Sequence, residues 1–267
     1  MNRKENSTRA FVGFMLAAGV VSLAYAQDPA APAPVVATQE WTPPAKEWTA
    51  NAGLSAVINS GNAVNQTVGG NALIDRKWGK NEVGLTGQGA YGRAKDPTTG
   101  DTNTNTKNWK TSARYDRFIL NPLSLYTLGH IGQDEPAGFD LRYGGSLGAS
   151  HTLLNTQANL FKYEAGYDFT REQRVAAEDA NIHSARAFLR YQYKISETAL
   201  FGQDVETLFN LQQGQDVRLN TLTSLTVKLT DKLAFQTGFG VRFDNQPVAG
   251  FKKTDTTTQA GLVLNFL

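Results

Sequence analysis

The sequence contains no cysteine among its 267 residues. This absence excludes a disulfide scaffold, a thiolate zinc or iron–sulfur site, and a lipid anchor on an N-terminal cysteine. Histidine is also scarce, because only His130, His151 and His183 are present and they are isolated from one another. We therefore predict no metal site and no cofactor.

One apolar run stands out, at residues 10–24, and it is too short to span a membrane comfortably. A basic segment precedes it, and the small-x-small tripeptide Ala24-Tyr25-Ala26 follows it. This is the order of a secretory signal peptide, so residues 1–26 are predicted to be removed between Ala26 and Gln27. The absence of an Arg-Arg pair favours the general secretory pathway.

The exported chain has no excess charge of either sign. Cleavage removes three of the 26 basic residues and one of the 24 acidic residues, which leaves 23 of each. A nucleic-acid partner requires a basic surface to neutralise phosphates, so none is predicted. Residues 27–47 are rich in alanine and proline and are predicted to form an extended periplasmic linker.

From residue 48 to the C-terminus, polar and apolar residues alternate with a period of two. The apolar set Phe161, Tyr163, Ala165, Tyr167 and Phe169, for example, is interleaved with polar residues. Alternation over nine to thirteen residues indicates long strands, and no helical pattern interrupts the series. We predict twelve strands, at residues 48–60, 63–76, 81–94, 107–120, 123–133, 138–152, 157–170, 183–195, 199–211, 217–229, 233–244 and 254–266. In the fifth segment, apolar residues occur on both faces.

The connections and the aromatic residues indicate a barrel in a membrane. Short turns at residues 77–80, 121–122, 196–198 and 230–232 alternate with long polar loops at residues 94–106, 171–182 and 245–253. Aromatic residues cluster at both strand ends, and Phe139 is assigned to the ring at the outer end. The fold class is therefore predicted as all-β: an antiparallel up-and-down transmembrane β-barrel of about 12 strands, covering residues 48–267.

Charged residues lie on the strand face opposite the aromatic one. An Arg or Lys on the lipid face at the bilayer midplane costs about 2–4 kcal/mol, so the charged face must point into the lumen. The candidate pore-lining residues are Arg114, Asp140, Arg142, Glu164, Asp168, Arg186, Arg190, Asp204, Glu206, Arg218 and Arg242.

Several short motifs resemble those of the YdiY-like salt-induced outer-membrane proteins, a domain family of unknown function. They are Ser60-Gly61-Asn62, Tyr115-Asp116-Arg117-Phe118, Gly132 with Asp134, Asp140-Leu141-Arg142, Gly144 with Gly148, and Gly166-Tyr167. The resemblance covers residues 48–267. It implies an envelope location and a link to salt or osmotic stress, but no established substrate.

The sequence does not predict an enzyme. An outer-membrane lipid hydrolase would need a lipid-facing Ser beside a His near the outer interface, and His151 lies at the periplasmic end by the predicted strand directions. Paired carboxylates such as Asp204 and Glu206 are interpreted as salt-bridged lumen charges. No catalytic residue is assigned.

Two functions remain open for a barrel in the bacterial outer membrane. One is a narrow pore for small polar solutes or ions, favoured because Gly144, Gly148 and Gly166 would leave room in the lumen. The other is a closed barrel, plugged by its own Arg–carboxylate network, that serves as an envelope scaffold or a loop-presented binding surface. The expected partners are outer-membrane lipid and, during export, periplasmic chaperones and the barrel-assembly machinery. A monomer is favoured.

Overall fold

The computed structural model describes residues 47–59, 65–96, 99–134, 138–175, 177–247 and 252–266. The predicted signal peptide, its cleavage site at Ala26 and Gln27, and nearly all of the predicted linker lie outside these residues. Within the described ranges, no helix is long and apolar enough to cross a membrane.

Twelve strands form a single antiparallel sheet in which each strand pairs with the next. They are β1 (Glu47–Asn59), β2 (Asn65–Trp78), β3 (Asn81–Lys95), β4 (Thr102–Leu120), β5 (Leu123–Asp134), β6 (Phe139–Asn155), β7 (Asn159–Arg174), β8 (Ala180–Lys194), β9 (Ala199–Asn210), β10 (Val217–Lys228), β11 (Leu233–Asp244) and β12 (Thr254–Asn265). Pairing of β1 with β12 closes the ring. The predicted fold class and strand number are confirmed.

The closing seam is shorter than the other pairings. Residues 51–55 of β1 pair with residues 261–265 of β12, whereas β1 pairs with β2 along its whole length from Glu47 to Asn59. One further backbone hydrogen bond, from the Phe266 amide to the Ala50 carbonyl (2.9 Å), extends the seam toward the periplasmic end.

β4 and β7 extend furthest beyond their predicted bounds. β4 has 19 residues because its Thr/Asn-rich start continues to pair with β3, after a register shift between Gly92 and Arg93. β7 continues to Arg174. The loops at these two positions are therefore shorter than predicted, and residues expected in loops lie on paired strands.

The barrel has an apolar exterior and a polar interior. Leu54 is 70% exposed and Val68 is 60% exposed on the outer surface, while Arg142, Glu164 and Asp168 are buried inside. So much exposed apolar surface does not occur on a soluble monomer. An apolar outer band around a charged interior is the arrangement of an outer-membrane β-barrel.

The alternation of inward and outward side chains is less regular in the sequences of β5 and β6 than in the other strands discussed above. On β5, Tyr126 is buried in the interior, while Leu125 and Ile131 are exposed on the outside.

On β6, a register shift between Phe139 and Leu141 interrupts the alternation. The predicted place of Phe139 in the outer aromatic ring is wrong, because its side chain is only 6% exposed and stacks on the Arg142 guanidinium, 3.9 Å from the ring centroid. Asp140 is left exposed.

Candidate functional site

The inward face of β7 organises the lumen. Its alternation places Glu164 and Glu172 inside, eight residues apart, which is about 26 Å along the strand. Each carboxylate collects basic side chains from several strands. Asp168 lies between them and accepts hydrogen bonds from Ser146 Oγ (2.6 Å) and Thr170 Oγ1 (2.9 Å).

The first ion-pair group, the Glu164 cluster, consists of Arg114, Lys162, Glu164 and Arg186. Arg114 Nη2 lies 2.7 Å from Glu164 Oε1, and Arg186 Nη1 lies 2.8 Å from Oε2. Lys162 Nζ is 3.1 Å from Oε1. Because β5 and β6 separate Arg114 from β7 in the ring, this contact reaches across part of the lumen.

Further contacts fix the Arg186 guanidinium. Its Nε donates to Glu206 Oε1 at 2.7 Å, and its Nη1 donates to Tyr126 Oη on β5 at 2.9 Å. Next to it, Arg190 binds Asp204 in a bidentate pair, with Nε–Oδ1 2.8 Å and Nη2–Oδ2 2.6 Å. Bidentate Arg–carboxylate pairs are the geometrically strictest of ion pairs, so these side chains are held in place.

The second group, the Glu172 cluster, consists of Arg142, Glu172, Arg174 and Arg218, toward the outer end of β7. Glu172 is 0% exposed. Arg142 Nη2 and Arg218 Nη1 both lie 2.5 Å from Glu172 Oε1, and Arg174 Nη2 lies 2.7 Å from Oε2. Arg218, on β10, thus reaches past β8 and β9, and its Nε also lies 3.2 Å from Asp244 Oδ2.

The lumen between these clusters contains a cavity of about 250 Å³. Every residue that lines it belongs to a strand between β2 and β10, so within the described residues the cavity wall contains no loop. Its mixed charges can contact ions or small polar solutes, and its volume lies below the roughly 300 Å³ at which sites for drug-sized ligands begin.

Eight of the eleven predicted lumen residues line this cavity: Arg114, Arg142, Glu164, Asp168, Arg186, Arg190, Glu206 and Arg218. Asp204 joins them through Arg190. Arg242 lies apart and pairs with Asp255 on β12 (2.9 Å). Asp140 is not brought to this group, because the register shift at Phe139 displaces it from the inward alternation.

Sequence reasoning missed Glu172, Tyr126 and Lys110. Glu172 was assigned to a loop, although the alternation from Lys162 through Glu164 and Asp168 extends to it and could have found it. Tyr126 was obscured by the mixed pattern of β5. Lys110 follows the inward alternation of Arg114 on β4 and lines the cavity.

The three glycines expected to leave room do not do so. A Cβ at Gly144 would overlap the carbonyl oxygen of Phe169, and one at Gly148 would overlap that of Ala165. At Gly166 a Cβ would overlap the carbonyl of Leu147 and lie 2.7 Å from Tyr126 Oη. These glycines permit the close approach of β6 and β7 and make space for Tyr126.

The histidines do not converge. The His151 ring packs against the Tyr163 ring, with the two centroids 5.3 Å apart. His183 hydrogen-bonds Tyr167, and its ring packs against the Phe169 ring with the centroids 5.1 Å apart. His130 lines the cavity. Among the described residues, no three acidic or histidine side chains are grouped in a way that could hold a metal ion.

Comparison with solved structures finds barrels of similar fold. The NanC porin matches with a TM-score of 0.50 and 10% identity, over 82% of this chain and 100% of that chain. The KdgM porin matches with a TM-score of 0.46 and 10% identity over 83% and 100%, and the translocator domain of the autotransporter NalP from Neisseria meningitidis with 0.42 and 13% over 83% and 88%. At these identities the likeness concerns the fold alone. No curated protein sequence matches the chain.

A family model described as "Protein of unknown function, DUF481" matches residues 52–266, which is the barrel from within β1 to just past the end of β12. The description assigns no activity and does not mention salt. The match covers most of the sequence, and the chain therefore belongs to the DUF481 family of proteins of unknown function.

Proposed function

We propose that the protein is a narrow pore for small polar solutes or ions in the bacterial outer membrane, reached through the general secretory pathway. The observation that carries the proposal is the polar cavity inside the barrel, which is lined by strand residues of both charges. The apolar exterior supports a membrane location, and the predicted signal peptide supports export.

The test is the single-channel conductance of the refolded protein in a planar lipid bilayer with KCl solution on both sides. Discrete current steps are expected. Thr86→Phe places a ring in the cavity and should lower the unit conductance, whereas Thr127→Phe, on the exposed outer face of β5, should leave it unchanged. Folded protein that produces no steps, or two variants with equal effects, would refute the pore.

The closed barrel is the second candidate, and the contacts across the lumen favour it. Arg114 to Glu164 and Arg218 to Glu172 each join strands that are three places apart in the ring. Folded protein that produces no current steps in the bilayer would support a scaffold or a binding surface formed by the outer loops. For both candidate functions, we propose no catalytic residue. The proposed partners of the protein are outer-membrane lipid and, during export, periplasmic chaperones and the barrel-assembly machinery.

The link to salt or osmotic stress belongs to the proposal and rests on the YdiY-like motifs alone. It predicts that a strain lacking the protein grows more slowly in high-salt medium but normally in low-salt medium. Equal growth in both media would remove the salt link and leave the pore proposal as it stands.

A further inference from the structure

Four polar side chains form a patch on the cavity wall of β3, β4 and β5. Thr86 pairs in register with Ser112, and Ser112 pairs with His130, so the three form a row across neighbouring strands. Lys110 follows two residues away from Ser112 on the same face of β4. All four line the cavity. We call Thr86, Lys110, Ser112 and His130 the open patch.

The side chains of the open patch differ from those of the Glu164 and Glu172 clusters. Among the described residues, none of these four side chains makes a hydrogen bond or an ion pair, and no carboxylate oxygen lies within 4.0 Å of Lys110 Nζ. Burying an ammonium without a partner is costly, so water or a solute must solvate it. Lys110 is therefore a cation available to a molecule in the cavity.

Two carboxylates in the same cavity act on Lys110 from a distance. They are Glu206 and Asp168, whose charges are the strongest favourable ones at the ammonium. Glu206 is already bound by Arg186 Nε (2.7 Å), whereas among the described residues the Asp168 carboxylate accepts side-chain hydrogen bonds only from the hydroxyls of Ser146 and Thr170. Asp168 thus has no ion pair among the described residues, and it lines the same cavity as Lys110.

This arrangement presents one charge of each sign to the cavity. Lys110 attracts a solute carboxylate, and Asp168, which has no ion pair among the described residues, attracts a solute ammonium. A molecule with both charges can bridge the gap between Lys110 and Asp168. The cavity of about 250 Å³ has room for a molecule of the size of an amino acid.

We infer that the open patch and Asp168 form a binding site for a small zwitterion of the α-amino acid class. The solute carboxylate binds Lys110 and the hydroxyls of Ser112 and Thr86, and its ammonium binds Asp168. This inference rests on the proposed pore, since the site lies on the path through the lumen. It adds a solute class to that path.

The experiment measures swelling of proteoliposomes that contain the refolded full chain. The probes are glycine, its uncharged analogue glycolamide, and potassium glycolate. Glycine should enter faster than glycolamide in the native protein. Lys110→Gln and Asp168→Asn should each slow glycine entry about tenfold and leave glycolamide unchanged, because each removes a charge-assisted contact.

Matched controls come from an exposed turn. Lys228→Gln and Asp231→Asn make the same chemical changes in the Lys228–Asp231 pair (2.8 Å), which lies outside the cavity, and they should leave both rates unchanged. Circular dichroism and the heat-dependent gel mobility of each variant establish that it is folded.

The outcomes separate the two proposals. Equal entry of glycine and glycolamide, or full glycine entry in Lys110→Gln, overturns the zwitterion site while KCl conductance keeps the pore. Faster entry of glycolate than of glycine also overturns it, in favour of a site for anions. A folded protein that passes neither KCl nor any of the three probes overturns both proposals.

Discussion

The lumen has two kinds of charged surface. In the Glu164 and Glu172 clusters, basic groups lie 2.5–3.1 Å from a carboxylate oxygen that is withdrawn from water. In the open patch, Lys110 lies in the same cavity with no ion pair among the described residues. The same residue chemistry thus serves as internal structure in one place and remains available in the other.

The difference follows from cross-strand placement. Removing charges from water is compensated only when geometry and extra hydrogen bonds are good, and the clusters achieve this with several arginines around each glutamate. Lys110 pairs in register with Gln88 on one side and Gly132 on the other, so neither of its register partners is a carboxylate. Variants that alter one surface and preserve the other test this contrast.

The largest loss of stability is expected for Glu172→Gln. It leaves three arginines near one another without their shared carboxylate, and breaking a buried ion pair in this way costs about 3–5 kcal/mol. The measurement is the free energy of unfolding in urea. Glu197→Gln is the matched control, because its carboxylate is exposed and pairs only with Lys194 among the described residues (3.2 Å). Equal effects of the two variants would contradict the structural role of the cluster.

A smaller loss is expected for Gly166→Ala. The new Cβ would overlap the carbonyl of Leu147 and crowd Tyr126 Oη, which supports Arg186, and overpacking of this kind costs about 1–3 kcal/mol. Gly87→Ala provides the control, since a Cβ at Gly87 meets nothing within 4 Å. Urea unfolding compares the two. If Gly166→Ala is no worse than Gly87→Ala, the close packing of β6, β7 and Tyr126 is not required.

Little or no loss is expected for Lys110→Gln. Because Lys110 has no ion pair to lose among the described residues, removing its charge should leave the urea midpoint unchanged, although we expect it to alter solute entry. Arg190→Gln is the contrasting variant, as it breaks the bidentate pair with Asp204 and should lower the midpoint. If Lys110→Gln lowers the urea midpoint as much as Arg190→Gln does, the distinction between the open patch and the ion-paired surface is wrong.

A slight effect that depends on pH is expected at the β10–β11 turn. The hydrogen bond and charge of Lys228 hold the pKa of the Asp231 carboxyl below its ordinary value, so the pair stabilises the fold above the unfolded pKa and this contribution is lost as the pH falls through the folded pKa. Asp231→Asn should therefore differ slightly from the native protein at neutral pH and not at all in acid. The effect is slight because solvent-exposed ion pairs contribute little to the free energy of unfolding. A difference in unfolding that persists in acid would contradict this explanation.

The period-two alternation was sufficient to predict twelve strands and the inward placement of Arg186 and Arg190, because side-chain direction in a strand depends only on residue parity. Parity fails where a bulge intervenes, which is why Phe139 and Asp140 were misplaced. The partners of the charges could not be predicted. The contact of Arg218 with Glu172 depends on how the ring curves, and no local pattern contains that information.

The short seam between β1 and β12 has a consequence for the order of assembly. Every other pairing joins strands that are consecutive in the sequence, whereas the seam joins residues 51–55 to residues 261–265 at opposite ends of the barrel sequence. Closing so long a loop has a greater entropic cost than closing a hairpin, and the seam regains only a few backbone hydrogen bonds. We therefore expect ring closure to be the last and most reversible step of folding, and the seam to be the first pairing lost when the barrel unfolds.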